Sequence, residues 1–448
     1  MNATTSPHPP LNRNSVLPER FRAVRRKTLE LSSPLTPEDM MVQSCPEASP
    51  AKWHLAHTTW FFESFVLREF LAGYRVFHAD FAWLFNSYYQ SFSEFPEKRL
   101  RSSFSRPGLD EVLRYREHVD AAMERLLEQG SEEEALRRVE LGANHEEQHQ
   151  ELLLTDILHA FFTNPLKPAY RDRGAEIRDR KDRALGTGKG KQPGTQPLWF
   201  KEFEGGLLEA GYPGHGFCFD NELPRHRVWL EPYALARRLV TCGEYADFIA
   251  DGGYRRAEFW LSAGWDAVKQ NGWRAPLYWS EKESEWSVFT LRGERPLKEL
   301  AATPVSQVSF YEADAYARWA GLRLPTEFEW EDAAKGQPVE GNLLDSGELT
   351  PVSSAALVQN ENGAKYQKQN GTKCYGDCWV WTSSAYLAYP GFRPLSGALG
   401  EYNGKFMSGQ MVLRGGSCVT PAAHIRASYR NFFAPETRWQ FSGIRLAW

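Results

Sequence analysis

Apolar residues recur at helical spacing through the first third of the chain and then give way to short aromatic and apolar runs. The helical period predicts helices over residues 18–31, 50–70, 109–128 and 132–162. Ser49 and Pro50 supply a cap and a first-turn proline for the second, and Ser131 with Glu134 supplies a capping box in an acidic first turn for the fourth. Four helices of this length predict an up-and-down bundle over 18–162, preceded by a polar, Pro/Asn-rich tail at 1–17. Residues 163–197 are expected to be a linker or mobile loop, because 169–197 are charged, Gly-rich and almost free of large apolar side chains. From 198 to 448, Gly, Pro and Asn interrupt short runs, with helical stretches near 241–250 and 309–320. That texture predicts an irregular α+β domain with long loops, so the chain is expected to be multidomain, α followed by α+β.

Composition narrows the function. With 448 residues and 42% hydrophobic content the chain can fill two or three cores. The net charge is only −4 and no basic tract stands beside an aromatic platform, which disfavours nucleic acid and membrane surfaces and leaves small molecules as the expected partners. The first seventeen residues lack an apolar leader core, and no apolar run approaches the roughly 20 residues of a membrane span, so a cytoplasmic enzyme is expected. Six scattered cysteines (Cys45, Cys218, Cys242, Cys374, Cys378, Cys418) read as reduced thiols rather than a disulfide framework. Sixteen tryptophans exceed what a core demands and suit an aromatic-lined pocket for a cationic ligand. Nothing in the sequence speaks to oligomeric state.

The chemistry concentrates in Asn144-His145-Glu146-Glu147-Gln148-His149-Gln150-Glu151-Leu152-Leu153. His145 and His149 stand one helical turn apart, in a stripe with Leu141, Gln148 and Leu152, so both rings should point into the bundle. Neutral imidazole there is a ligand for Fe, Zn, Ni or Cu. The same residues also read His-Glu-x-x-His, with Glu146 as the general base of a zinc peptidase. The extended zinc-peptidase pattern needs glycine and histidine where this chain has Leu152 and Thr155, and after Glu151 no further Glu occurs until Glu176, which weighs against it.

The C-terminal part carries, in order, Phe203-Glu204-Gly205-Gly206, Phe219-Asp220-Asn221-Glu222-Leu223-Pro224, Val240-Thr241-x2-Glu244-Tyr245, Pro304-Val305-x2-Val308-Ser309, Arg323-Leu324-Pro325-Thr326-Glu327-x-Glu329-Trp330-Glu331, Trp381-Thr382-Ser383-Ser384, Arg414-Gly415-Gly416-Ser417 and Gly443-Ile444-Arg445. These residues resemble the formylglycine-generating-enzyme fold, which is C-type-lectin-like. That enzyme's reactive cysteine pair is missing, since Cys418 stands alone before Val419 to Arg430, so peptide oxidation to formylglycine is not expected. The N-terminal Trp53-His54-Leu55-Ala56-His57 and His145-x2-Gln148-His149 resemble a DinB-like bundle with three histidine ligands. The two parts together resemble the ergothioneine-biosynthesis sulfoxide synthases (EgtB-like).

The resemblance implies oxidative C–S bond formation between the imidazole of hercynine, which is trimethylated histidine, and a thiol, with Fe(II) as cofactor and O2 as co-substrate. It places the metal on His57, His145 and His149, with His54 as a possible substitute for His57. Gln148 and Asn431 are implied substrate contacts, and Phe432 an aromatic neighbour of the trimethylammonium. In the branch that uses γ-glutamylcysteine, an acid and an arginine hold the glutamyl group; here Phe433 and Thr437 stand in those places, so cysteine is the expected donor. That branch's catalytic tyrosine falls at Leu399, three residues before Tyr402, which stays a substrate-contact candidate. Tyr88 and Tyr89 are the candidate replacements, and adjacent side chains are expected to diverge so that one at most faces the metal. The basic run containing Arg99 and Arg101 offers a partner for the donor's carboxylate. Two alternatives remain: an ovothiol-type synthase joining histidine and cysteine, and a DinB-type zinc thiol transferase. The former commonly carries a methyltransferase domain after the second domain, whereas this chain stops at Trp448, so hercynine is the expected acceptor.

Overall fold

Residues 145 to 150 interleave two i, i+4 pairs, His145/His149 and Glu146/Gln150, and the bundle is arranged around the need to bury both. The computed structural model describes residues 13–171, 198–353 and 373–448, in two compact units. The first runs through Leu153 and takes in Gly214–Phe217; the second holds Leu154–Pro213 and Cys218–Trp448.

Four long helices dominate the N-terminal part: α1 (Arg13–Ser32), α2 (Ala51–Phe62), α3 (Leu109–Glu128) and α4 (Glu133–Thr163). All lie close to the sequence expectation, with instructive differences. α1 begins five residues before Pro18 and contains it. Proline forfeits its own N–H bond and crowds a single upstream carbonyl, which a helix can absorb near its start. Pro50 sits at the N-cap of α2 rather than in its first turn, and Ser49 Oγ accepts from Arg101 Nη1 at 2.8 Å. Ser131 turns its hydroxyl back to the Leu126 carbonyl (3.0 Å), and Glu134 accepts from Arg138 (3.0 Å), so the expected capping box gives way to a contact one turn back and a contact one turn on. α2 widens into a π-helical stretch, Glu63–Leu67, where the buried Glu63 accepts from Tyr74 Oη (2.6 Å), Tyr115 Oη (2.7 Å) and the Phe77 amide (3.1 Å).

A buried ion network sets the rotation of α4. Glu146 is fully buried and accepts from Arg25 Nη1 of α1 (2.9 Å), Arg116 Nη2 of α3 (2.5 Å) and Thr28 Oγ1 (2.6 Å). One turn on, Gln150 Nε2 donates to the Val24 carbonyl and to Thr28 Oγ1, both at 3.0 Å. Burial alone would raise the Glu146 carboxyl, but Arg116 and Arg25 outweigh it and hold it well below the usual carboxylate range. Gly142 lets α2 approach α4, since a Cβ there would lie 2.5 Å from Phe62 Cε1. 

The second unit is irregular α+β. Among the described residues it contains two-stranded pairs β1 (Phe200–Phe203) with β4 (Tyr233–Ala236) and β2 (Gly206–Ala210) with β3 (His226–Leu230). It also has a three-stranded meander β5 (Trp279–Lys282), β6 (Glu285–Thr290), β7 (Gly293–Pro296). A four-stranded sheet runs in the order β10 (Asn431–Phe433), β9 (Met411–Arg414), β8 (Trp379–Ala385), β11 (Ser442–Gly443). Three of its helices start with true capping boxes: Thr241 with Glu244, Ser309 with Glu312 and Thr326 with Glu329. Of the expected linker, 172–197 lie outside the described residues, as do 1–12 of the expected tail. In the described part of the linker, residues 163–166 are exposed, whereas Tyr170 is buried and the Arg171 amide donates to the Leu291 carbonyl at 3.1 Å.

Glu146→Ala is expected to destabilise the bundle by about 3–5 kcal/mol, because two buried guanidiniums lose their shared carboxylate. Urea unfolding of the metal-free protein followed by circular dichroism measures it; a loss below about 1 kcal/mol would mean that the network does not set the helix.

Candidate metal centre

α2 presents His54 and His57 three residues apart and α4 presents His145 and His149 four apart, so each helix turns a pair of rings to one side. The rings converge. Centroids lie 4.9 Å apart for His57 and His145, 4.7 Å for His57 and His149, and 4.6 Å for His145 and His149. One nitrogen from each falls within 4.8 Å of the other two, a group able to hold a metal ion.

The hydrogen bonds around the rings test whether a metal fits. His57 Nδ1 lies 2.6 Å from the Phe85 carbonyl. A carbonyl only accepts, so Nδ1 carries the proton and the lone pair of the neutral ring is on Nε2. That Nε2 is buried with no hydrogen-bond partner. A buried unsatisfied acceptor costs about 1–3 kcal/mol, and a bound cation would satisfy it. His149 Nδ1 lies 2.8 Å from His54 Nδ1, which leaves Nε2 of His149 for a metal. The donor set therefore fits a nitrogen-bound divalent ion.

Burial also fixes the protonation state. It pushes His145 down to about 3, and burial followed by the neighbouring histidines pushes His57 and His149 well below the usual 6.5. The three rings are thus neutral near pH 7, with lone pairs available. Trp53 and Trp60 lie nearly parallel to His57, at 4.3 Å and 13° and at 5.3 Å and 14°, and Phe61 packs on His145 at 4.7 Å.

The other expected residues divide. Tyr89 is fully buried and packs 5.6 Å from Trp60 and 5.1 Å from Phe65. Tyr88 stacks on it at 4.7 Å and 30°, so the two phenol rings run together instead of diverging. The loop, unlike a strand, imposes no alternation of side-chain direction. Arg101 is buried with its guanidinium 3.5 Å over Trp53, one ring from His57. Arg99 is exposed and paired with Glu97 at 2.6 Å, so of these two expected carboxylate partners Arg101 alone is buried. Gln148 is half-buried. Glu146, the base of the peptidase reading, is locked between two arginines on another face of α4, which removes that reading. His54, entertained as a substitute ligand, is bonded through Nδ1 to Nδ1 of His149 and lies outside the three-histidine group; a sequence separation of 95 hid that contact.

In the second unit, Phe432 stacks on Tyr386 at 4.0 Å and 12° and lies 5.9 Å from Phe406. Asn431 Oδ1 accepts from the Phe432 amide at 2.9 Å. Phe433 packs edge-on to Trp439 at 6.1 Å, and Tyr402 is buried in a stack on Phe219 at 5.3 Å. Thr437 Oγ1 donates to the Ala434 carbonyl, while Arg438, next in sequence, is committed to Glu312 (2.8 Å) and to the Ala275 carbonyl.

Titration of the metal-free protein with Co(II) is expected to show one equivalent bound. His57→Ala, His145→Ala and His149→Ala should each lose stoichiometric uptake, because the remaining two nitrogens make a weak site. Undiminished uptake by His57→Ala in a chelator competition would move the third donor elsewhere.

Comparison with known proteins follows the same division. A family described as sulfatase-modifying factor enzyme 1-like domain matches residues 202–448, more than half of the chain, and the DinB superfamily matches residues 20–160. The chain is 36% identical over 241 residues to a hercynine oxygenase of Mycobacterium tuberculosis, covering 51% of this chain and 55% of that protein. It is 37% identical over 247 residues to a hercynine oxygenase of Mycolicibacterium smegmatis, covering 51% and 56%. It is 26% identical over 237 residues to ergothioneine biosynthesis protein 1 of Schizosaccharomyces pombe, covering 51% and 27%. The chain thus spans about half the length of the hercynine oxygenases it matches, and less of the yeast protein. With a DinB superfamily bundle ahead of the matching domain, the chain belongs to the sulfatase-modifying factor enzyme 1-like family.

Proposed function

We propose that this chain is a non-haem Fe(II)- and O2-dependent sulfoxide synthase of ergothioneine biosynthesis, joining the imidazole ring of hercynine to cysteine. The observation that carries the reading is the set of three neutral, buried imidazole nitrogens without a carboxylate among them, in a chain that joins these two domain types. The names of the two bacterial relatives support hercynine as the acceptor. The reaction balances as one O2 consumed, an imidazole C–H and a thiol S–H lost, a C–S bond formed, one oxygen on sulfur and one leaving as water. Iron held by His57, His145 and His149 would supply the one-electron chemistry with O2 and open positions for both substrates.

The protein's own groups divide the remaining work. Three uncharged donors add no negative charge, which favours a thiolate as the anionic co-ligand. We assign Gln148 and Asn431 to the polar groups of hercynine and Phe432 to its trimethylammonium, a cation without donors that aromatic faces hold best. The 4.0 Å stack on Tyr386 gives Phe432 a fixed backing. Arg101, its guanidinium carbon 3.5 Å from the Trp53 ring centroid, is assigned to the donor's carboxylate, which a guanidinium meets through donors in its own plane. Tyr88 and Tyr89 are assigned to proton or electron delivery at the metal centre; the packed rings of Tyr89, Trp60 and His57 would suit an electron.

Cysteine is favoured over γ-glutamylcysteine because Phe433 and Thr437 bear no charge and Arg438 is engaged by Glu312. Two charge-assisted contacts of about 1.5–3 kcal/mol each are enough to shift donor preference by orders of magnitude. After anaerobic loading with Fe(II), the protein given O2, hercynine and equal concentrations of the two thiols is expected to yield mainly the cysteine sulfoxide conjugate by mass analysis. Phe433→Asp with Thr437→Arg should move the ratio toward the dipeptide. A dominant dipeptide product overturns the donor; zinc in place of iron, without O2 consumption, overturns the reaction class.

Tyr88→Phe and Tyr89→Phe are expected to leave substrate binding intact and divert product from the C–S conjugate toward oxidised cysteine in at least one of the two. Unchanged product partition in both would remove the phenols from the mechanism.

A further inference from the structure

His54 is buried on α2, three residues before His57, and its Nδ1 stands 2.8 Å from Nδ1 of His149. Two nitrogens at that distance share one proton: two lone pairs repel, and two N–H groups clash. Where the proton sits decides what His149 can do. With the proton on His149 Nδ1, the neutral ring keeps its lone pair on Nε2, the nitrogen left for a metal. With the proton on His54 Nδ1, His149 must carry its own on Nε2 and cannot bind one.

We propose that His54 is the positioning residue of His149, its Nδ1 accepting the His149 Nδ1 proton and so fixing the tautomer and ring angle in which His149 Nε2 faces the metal. His54 itself is not a ligand. The proposal rests on His149 acting as a metal donor in the function proposed above. His57 provides the parallel within the same site, where the Phe85 carbonyl does for one ring what His54 does for the other. An imidazole acceptor differs from the carboxylate often found behind a metal-bound histidine in adding no charge, which leaves the whole donor set uncharged.

The test uses Co(II) as the probe, with affinity read by chelator competition and coordination by its visible absorption bands. His54→Phe keeps an aromatic ring but no acceptor, and is expected to bind one equivalent with affinity lowered about 10–100-fold and altered bands. His54→Gln places a carbonyl acceptor near the same point and is expected to recover most of the loss. Wild-type affinity and bands in His54→Phe overturn the proposal. So does loss of stoichiometric binding in His54→Phe alongside retention in His57→Ala, which would make His54 a ligand. Failure of the wild type to bind Co(II) overturns the metal centre itself and the proposal with it. A measurement free of substitutions completes the test: in the Zn(II)-loaded protein labelled with 15N-histidine, the proton is expected on Nδ1 of His149 and Nε2 of His54, and a proton on Nδ1 of His54 refutes the assignment.

Discussion

The carboxylate of Glu146, held between Arg25 and Arg116, is the interaction on which the three-histidine group depends. It lies between His145 and the next turn of α4, and it ties that helix to both α1 and α3. With Gln150 bound to the α1 backbone one turn later, the helix has no freedom to rotate about its axis. The direction of the His145 and His149 rings follows. Breaking an ion pair of this kind leaves charge stranded in the core, so the arrangement is held by a penalty against every alternative as much as by attraction.

The second unit repeats the logic with different residues. Arg414 is fully buried and donates to Glu327 (2.8 Å), Glu331 (3.0 Å) and the Tyr429 carbonyl (3.1 Å), while Arg430 meets both oxygens of Glu327. Arg430 immediately precedes Asn431 and Phe432, so the network that fastens the helix Glu327–Ala334 also fixes the entry to β10. The segments Arg323 to Glu331 and Arg414 to Ser417 thus serve as internal fasteners. They identify an architecture, and say little about chemistry.

This explains what could be read from the amino-acid sequence. The long helices and the His145/His149 pair are local patterns, set by spacings of three and four residues, and they emerge from one strand of text. The Ser131 capping box failed because a hydroxyl has several nearby carbonyls to choose from, and composition does not rank them. The role of Glu146 was ambiguous because its partners are 30 and 121 residues away in sequence. The pairing of His54 with His149 and the stacking of Tyr88 on Tyr89 depend on ring orientation, which residue spacing does not encode.

The interleaving of histidines with Glu146 and Gln150 bears on anyone wishing to transplant the site. A graft of residues 144 to 153 into another bundle would carry the rings but not their bearing, because a foreign core has no guanidinium waiting for Glu146 and no open carbonyl for Gln150. The smallest portable version includes Val24, Arg25 and Thr28 from α1, His57 from α2 and Arg116 from α3 beside the α4 segment, so the transferable unit is a four-helix section rather than a ten-residue motif.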